Sequence, residues 1–295
     1  MNYKIKLMLL EGAIGDAYGA GFEFVYRLII RRRNKLTKYK RHPFYRTICG
    51  HYTDDTQMAM SLAELIVEGT EWTRLSVANK FVEVFKRDTR QGYAFRFFGL
   101  LKEVASGQEL LERIIPSSER NGSAMRAYPI GVLGSEKEVL EKATLQARIT
   151  HDTEWGVRAA QAIALIAHYF LYQRGSKAEL IAYLADWQGV QWPLDWQGEV
   201  PMKGKETVEA VLSLLMQGER MSSILWEAVD LGGDTDTVAS LTLALGSICP
   251  EIVQDLPDWT FEQLENGPYG RSYIENLDRQ LLAQLPIAGH INRNL

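Results

Sequence analysis

The chain has 295 residues, 46% of them hydrophobic and 24% charged, which excludes a disordered, collagen-like or bare coiled-coil chain and allows a sizeable core. Its two cysteines, Cys49 and Cys249, exclude a disulfide framework and a cysteine zinc site, and suit a reducing compartment. A net charge of -4 argues against general affinity for nucleic acid.

Lys4 and Lys6 precede the apolar residues 7–10, but Glu11 and Asp16 break that run before any cleavage site. The N-terminus therefore reads as no signal peptide, and the expected location is cytoplasmic. Gly12, Gly15 and Gly19 follow at three- and four-residue spacing, with acids at Asp16 and Glu23. Mid-helix glycine costs up to about 1 kcal/mol against alanine, so the stripe predicts either a tight helix crossing or a ligand. Residues 24–52 are among the least helical and read as a basic loop insertion. Arg27, Arg31, Arg32, Arg33, Lys35, Lys38, Lys40 and Arg41 fall within fifteen residues with no acid among them. Taking these eight from the 33 basic residues leaves 25 against 37 acids, so an acidic body carries one basic segment. The plainer reading is a solvated surface loop. The functional one is a loop over a site, meeting ligand phosphates or an acidic protein partner.

Met58, Leu62, Leu65 and Ile66 recur at helical spacing, and Val77, Phe81, Val84 and Phe85 repeat the pattern. It returns over 139–147, 157–170 and 208–215, and residues 220–231, 235–248 and 271–284 also read as helices. Residues 188–203, with Trp192 and Trp196, read as an ordered surface loop. No series of alternating runs would build a sheet. The longest nearly apolar runs, 159–172 and 238–249, fall short of the roughly 20 residues a membrane span needs. The expected fold is all-α: one compact, irregular, single-domain globule over 1–295, with about a dozen helices.

Two motifs carry most of the chemistry. Thr53-Asp54-Asp55-Thr56 and Gly232-Gly233-Asp234-Thr235-Asp236-Thr237 each place two carboxylates and hydroxyls at a predicted helix start. Alone, each reads as capping: Asp54 with Gln57 resembles a capping box, and Asp234 can cap its own helix. A cap needs one acid, however, and here a close pair occurs twice. If the two ends meet, like charges about 4 Å apart repel by about 4 kcal/mol at an effective dielectric of about 20. Such a cluster holds either protons or cations, and oxygen ligands select magnesium or manganese over zinc. Asn121-Gly122-Ser123 reads as a short helix start suited to an anion, or as a turn with a serine cap. Arg126 reads as a structural ion-pair partner, and His151 as a structural residue at a helix start.

Five segments then stand in one order: Gly15-Asp16-x-x-Gly19-x-x-x-Glu23, Thr53-Asp54-Asp55-Thr56, Asn121-Gly122-Ser123-Ala124-Met125-Arg126, Thr150-His151 and Gly233-Asp234-Thr235-Asp236-Thr237. Together they resemble the ADP-ribosylglycohydrolase family, which includes the dinitrogenase reductase-activating glycohydrolase. The resemblance implies an all-α fold with a binuclear metal cleft holding two Mg2+, or Mn2+. It implies hydrolysis of ADP-ribose from a modified acceptor, first of all ADP-ribosylated arginine on protein. Metal ligands would be Thr53, Asp54, Asp55, Asp234, Asp236 and Thr237. Glu23, Asp54 and Asp55 would serve catalysis, and Gly92, Tyr93, Asn121, Gly122, Ser123 and His151 would surround the ligand. Arg120 departs from the pattern, standing where many relatives have glycine. The implied partner is an ADP-ribosylated protein or small ADP-ribose conjugate; the short apolar runs and the acidic body speak against a membrane and against nucleic acid. Other readings are hydrolysis of ADP-ribosyl-serine or small ADP-ribose esters, a two-metal phosphohydrolase, or a non-catalytic, immunity-type binder using segment 27–41.

Overall fold

A computed structural model describes residues 7–44 and 49–285; Lys4, Lys6 and residues 45–48 of the expected basic insertion lie outside them. The first half of the chain forms α1 (Met8–Gly19), α2 (Arg27–Arg33), α3 (Asp54–Val67), α4 (Arg74–Arg87), α5 (Phe95–Glu103), α6 (Gly107–Arg113) and α7 (Glu136–Thr150). The second half forms α8 (Glu154–Leu171), α9 (Leu180–Gln188), α10 (Gly204–Gln217), α11 (Met221–Leu231), α12 (Thr235–Ile248), α13 (Asp258–Glu262) and α14 (Arg271–Leu282). Short 3-10 turns lie at Asn121–Ser123, Tyr128–Val132 and Lys177–Glu179. Among the described residues there is no sheet, only isolated bridges. The fold is all-α, as expected, with somewhat more helices than the dozen the periodicity predicts. None of the described helices is long and apolar enough to cross a membrane.

The centre of the core is the pair α1 and α12, each buried along its whole length. A helix that is apolar around its circumference has no solvent face and must be enclosed. The glycine stripe explains how the two come together. A Cβ on Gly15 would sit 2.2 Å from the Ala239 carbonyl oxygen, and one on Gly19 2.4 Å from that of Thr235. The stripe is thus a tight helix crossing, made where side chains are absent. Helices α3 and α14 pack on α1, and α8, α10 and α11 pack on α12. Asp278 of α14 closes the N-terminal end of α1, where Oδ2 accepts from the Leu9 and Leu10 amides at 2.7 and 3.1 Å.

The basic stretch departs from the expected loop, because α2 forms within it. Ile30 is fully buried and anchors one face of that short helix. Asn34 then ties its end down, accepting from the Tyr18 hydroxyl at 2.9 Å and donating to the Trp226 carbonyl at 2.9 Å. Tertiary anchoring here overrides the repulsion among like charges that obscured the helix in the sequence. Residues 189–203 are an ordered loop as expected: the Val200 amide donates to Gly232, and Val200 accepts from the Asp234 amide.

Candidate active site

The tight crossing of α1 and α12 puts Asp16 beside the start of α12, and α3 begins against the same point. Asp16 is fully buried and accepts from the Thr53 and Thr56 amides and from both threonine hydroxyls. It therefore caps α3 from another helix, satisfying donors that α3 itself leaves free. Burial raises the Asp16 carboxyl to about 6 against the pull of those four donors. The capping-box expectation fails for the same reason: Thr53 is the N-cap residue and makes no side-chain cap. Gln57 instead donates into the α4 end, to the carbonyls of Val84 and Asp88. Asp234 likewise stands at the N-cap of α12 without capping it. Freed from that duty, Asp55, Asp234 and Asp236 join a shared cluster, whereas Asp54 stands outside its two close groups, beneath Gly92.

Oxygens of Asp16, Asp55 and Asp236 all lie within 4.8 Å of one another, and so do those of Glu23, Asp234 and Asp236. Asp236 belongs to both groups. The carboxyls of Asp54, Asp55 and Asp236 are pushed well above the ordinary range, by burial first and then by their acidic neighbours. Burial also raises Asp234 to about 6, although the Asn121 amide donates to it. Glu23 is raised to about 9, chiefly by the charge of Asp236 and then by burial. Asp55 Oδ1 is buried with no hydrogen-bond partner. A carboxylate oxygen buried among other carboxylates with no hydrogen-bond donor has lone pairs free for a cation, so this donor set fits a hard divalent ion.

Glu23 is carried on a turn of its own. Phe24, the next residue, adopts φ +48°, and its amide donates to the Gly233 carbonyl at 2.7 Å. A bulky residue in this region costs about 1–3 kcal/mol, so the turn is held by its surroundings. On the other side, Gly233 has φ +76°, and a Cβ there would lie 2.2 Å from the Val200 carbonyl oxygen. Only glycine lets the 189–203 loop press against the start of α12.

The cluster forms the floor of a cavity of about 890 Å³, a size suited to one small ligand. Glu23, Asp54, Asp55, Gly92, Asn121, Gly122, His151, Asp234, Asp236 and Thr237 all line it. Gly92 has φ +101°, and a Cβ there would come within 2.0 Å of Asp54 Oδ1, so the chain passes directly over that acid. Two of the expected residues face elsewhere: Tyr93 donates to Gln57 at 2.7 Å, and Ser123 donates to the Gly156 carbonyl at 2.7 Å. The Thr53 hydroxyl stays among the acids, 2.8 Å from Asp16 and 3.3 Å from Asp55. His151 accompanies Gly122, with Nδ1 2.6 Å from the Thr150 hydroxyl, and burial drives it down to about 3, so it is neutral.

Arg126 is not the expected ion-pair partner. It is fully buried in the cavity wall, donates to Gln146 and Thr150, and lies 4.5 Å over the Phe81 ring. Burial lowers it to about 9. Sequence reading also missed the role of Asp16 and the rim residues Phe95, Arg96, Arg113 and Ile115. Asp16 stands inside the Gly15–Glu23 motif. The rim residues show no pattern that separates them from ordinary exposed side chains.

An all-α protein that gathers buried acids at the floor of a ligand-sized cavity belongs with the helical folds that offer an acidic cleft able to hold a cation. The comparisons narrow this: the chain belongs to the ADP-ribosylglycohydrolase family, whose pattern it matches over residues 3–289. It is 27% identical over 292 residues to the ADP-ribosyl-[dinitrogen reductase] glycohydrolase of Rhodospirillum rubrum, covering 94% of each chain. It is 24% identical to the ADP-ribosylarginine hydrolase Tri1 of Pseudomonas putida (strain GB-1), over 96% of this chain and 79% of that one. It is 29% identical to the ADP-ribosylhydrolase ARH3 of Xenopus tropicalis, but there it covers 55% of itself and spans only 49% of the frog protein. Among solved structures, an ADP-ribosylglycohydrolase-related protein complex shares the fold with a TM-score of 0.73 and 23% identity, covering 95% of this chain and 98% of that one.

Proposed function

We propose that this protein hydrolyses the bond between ADP-ribose and a modified acceptor, with ADP-ribosylated arginine on protein as the substrate. The observation that carries the reading is the double carboxylate cluster, built from α1, the turn after it, α3 and the start of α12, and joined at Asp236. Arginine is favoured over serine or small esters by the alignments. The matches to the bacterial dinitrogen reductase glycohydrolase and arginine hydrolase run over 94% and 96% of this chain.

Asp54, Asp55, Asp234 and Asp236, with Thr53 and Thr237, would hold two divalent ions, magnesium by preference. When bound, such ions supply charge stabilisation and activation of a water. The side chains perform the rest. Cleavage at the ribose builds positive charge on the sugar, and the carboxylates of the floor face that charge. Glu23 is the most solvent-exposed acid of this set. It carries the proton exchanged at its carboxyl during the reaction, while Asp54 and Asp55 orient the attacking water. Gly92, Asn121, Gly122 and the neutral His151 line the part that takes the diphosphate; Tyr93 and Ser123 support this lining from behind. The Asn121 amide meanwhile holds Asp234 in place.

The test is release of free ADP-ribose from an arginine-modified protein with magnesium present. The double variant Asp54→Ala, Asp236→Ala should abolish it. Near-wild-type turnover in that variant would refute the assignment, and cleavage of the pyrophosphate would make the protein a phosphohydrolase.

A further inference from the structure

The basic segment is neither a free loop nor part of the cavity. Of its eight charges, only Arg27 meets an acid among the described residues, with Nη2 3.9 Å from Asp230. Yet the segment is pinned. Ile30 is in the core, the Leu36 amide donates to the Tyr18 hydroxyl at 3.1 Å, and Trp259 donates to the Leu36 carbonyl at 3.1 Å. The Tyr39 hydroxyl donates to Thr260, and the His42 ring lies 2.7 Å from the carbonyl oxygen of Glu23 itself. A fold that fixes uncompensated like charges in place bears repulsion that a mobile loop would relax.

Large apolar side chains are exposed among those charges. Phe24, Tyr26, Leu28 and Phe44 all project into solvent, Tyr26 at 72% and Leu28 at 64%. Tyr26 and Phe44 meet edge to face, with ring centroids 5.8 Å apart. On α2, Leu28, Arg31 and Arg32 fall at i, i+3 and i+4, so they share one face, turned away from the buried Ile30. This face begins one residue after Glu23, on the lip of the cavity. A cavity of about 890 Å³ holds one small molecule. The body of a macromolecular substrate must therefore rest outside it.

We propose that the face formed by Phe24, Tyr26, Leu28, Arg31 and Arg32 docks an acidic stretch of the polypeptide that carries the ADP-ribosyl group. The charge complements an acidic partner and repels the basic one that a generic arginine-rich substrate would present. The aliphatic Leu28, which cannot stack on a base, favours polypeptide over nucleic acid. The identity of what the partner carries rests on the hydrolase reading above; the docking itself does not.

The experiment titrates the full chain with a fluorescein-labelled peptide of mixed glutamate and leucine, read by anisotropy. Binding is expected, and Arg31→Glu, Arg32→Glu should weaken it about tenfold or more. Tyr26→Ser, Leu28→Ser should weaken it as well. Neither pair touches the cavity, so hydrolysis of a small ADP-ribosyl-arginine should be unchanged while KM rises for an ADP-ribosylated acidic protein. Unchanged peptide binding in both pairs overturns the docking face. So does loss on charge reversal alone, which would be simple counterion attraction. Tighter binding of single-stranded DNA or phosphatidylserine vesicles than of the peptide would overturn the choice of partner. If no substrate of any linkage were hydrolysed, the hydrolase reading would fall, and the peptide titration would still decide the docking face.

Discussion

Replacing Gly15 by alanine sets two effects of opposite sign against each other. Helix propensity alone favours alanine over glycine by up to about 1 kcal/mol. The structure opposes it: the new Cβ would lie 2.2 Å from the Ala239 carbonyl oxygen, 2.5 Å from its carbon and 2.8 Å from the Ser240 nitrogen, where ordinary contact begins at 3.4 Å. The obstacle is backbone inside a fully buried helix, so no side chain can swing aside and the helices must part by about 1 Å. Overpacking of this kind costs about 1–3 kcal/mol, and rigid neighbours place this case at the upper end. After the propensity gain, the net expectation is a loss of about 2 kcal/mol, measured by urea unfolding. Gly99 supplies the control, because a Cβ there has nothing within 4 Å. Gly99→Ala should hold or raise stability by up to about 1 kcal/mol. Parting α1 from α12 also draws Asp16 away from Asp236, so Gly15→Ala should weaken magnesium binding in calorimetric titration, and Gly99→Ala should not. Equal stability of Gly15→Ala and the wild type would refute the account of the crossing.

The acid cluster predicts a pH dependence. Folded-state values raised above the ordinary carboxylate range mean that the native state binds more protons than the unfolded one. Metal-free stability should therefore be greatest in acid relative to this term, and fall as pH rises from about 4 through the values near 6 and 9. Melting in EDTA from pH 5 to 9 checks this, and added magnesium should flatten the decline. Asp236→Asn mimics the protonated form and keeps the acceptor for the Thr237 amide. It should raise the metal-free melting temperature at neutral pH and abolish the further rise with magnesium; a lower metal-free value would contradict the repulsion. Asp278→Ala removes the acceptor of two buried amides at the start of α1 and should cost about 1–3 kcal/mol in urea unfolding.

What could be read from the sequence, and what could not, divides along a physical line. Helices α3, α4, α8 and α12 carry apolar side chains at a local period, so their positions were legible. The two acid pairs were legible as chemistry because one cap does not need two acids. Asp16 was not legible as the cap of α3, since its partners lie 37 and 40 positions away and sequence spacing carries no information about that distance. The helix α2 was hidden because its stability comes from Ile30 in the core and Asn34 against Tyr18 and Trp226, whereas its local signal is a run of arginines. Ser123 and Arg126 sit in a recognisable motif, yet the motif does not reveal which way a side chain turns. Ser123 faces the Gly156 carbonyl, and Arg126 meets neutral acceptors in place of an acid.

The cluster also explains why the site lies in the core and not on a loop. An acid on a flexible loop relaxes away from its neighbours and returns to its ordinary pKa. Here Asp16 cannot withdraw, because four donors from Thr53 and Thr56 hold it, and moving it would strip the cap from α3. Asp236 cannot withdraw either, because Gly15 and Gly19 let the backbone of α12 lie directly on α1. Glycines that cost stability within a helix thus fix the spacing of charges that cost stability within a core. On the proposed reading, a divalent ion would offset the second penalty, the repulsion among the acids. The Gly15→Ala and Asp236→Asn variants separate the two contributions: the first loosens the frame while keeping every charge, and the second removes one charge while keeping the frame. If magnesium stabilised both variants as much as the wild type, frame and charge would be unconnected, and the cation would have to bind elsewhere.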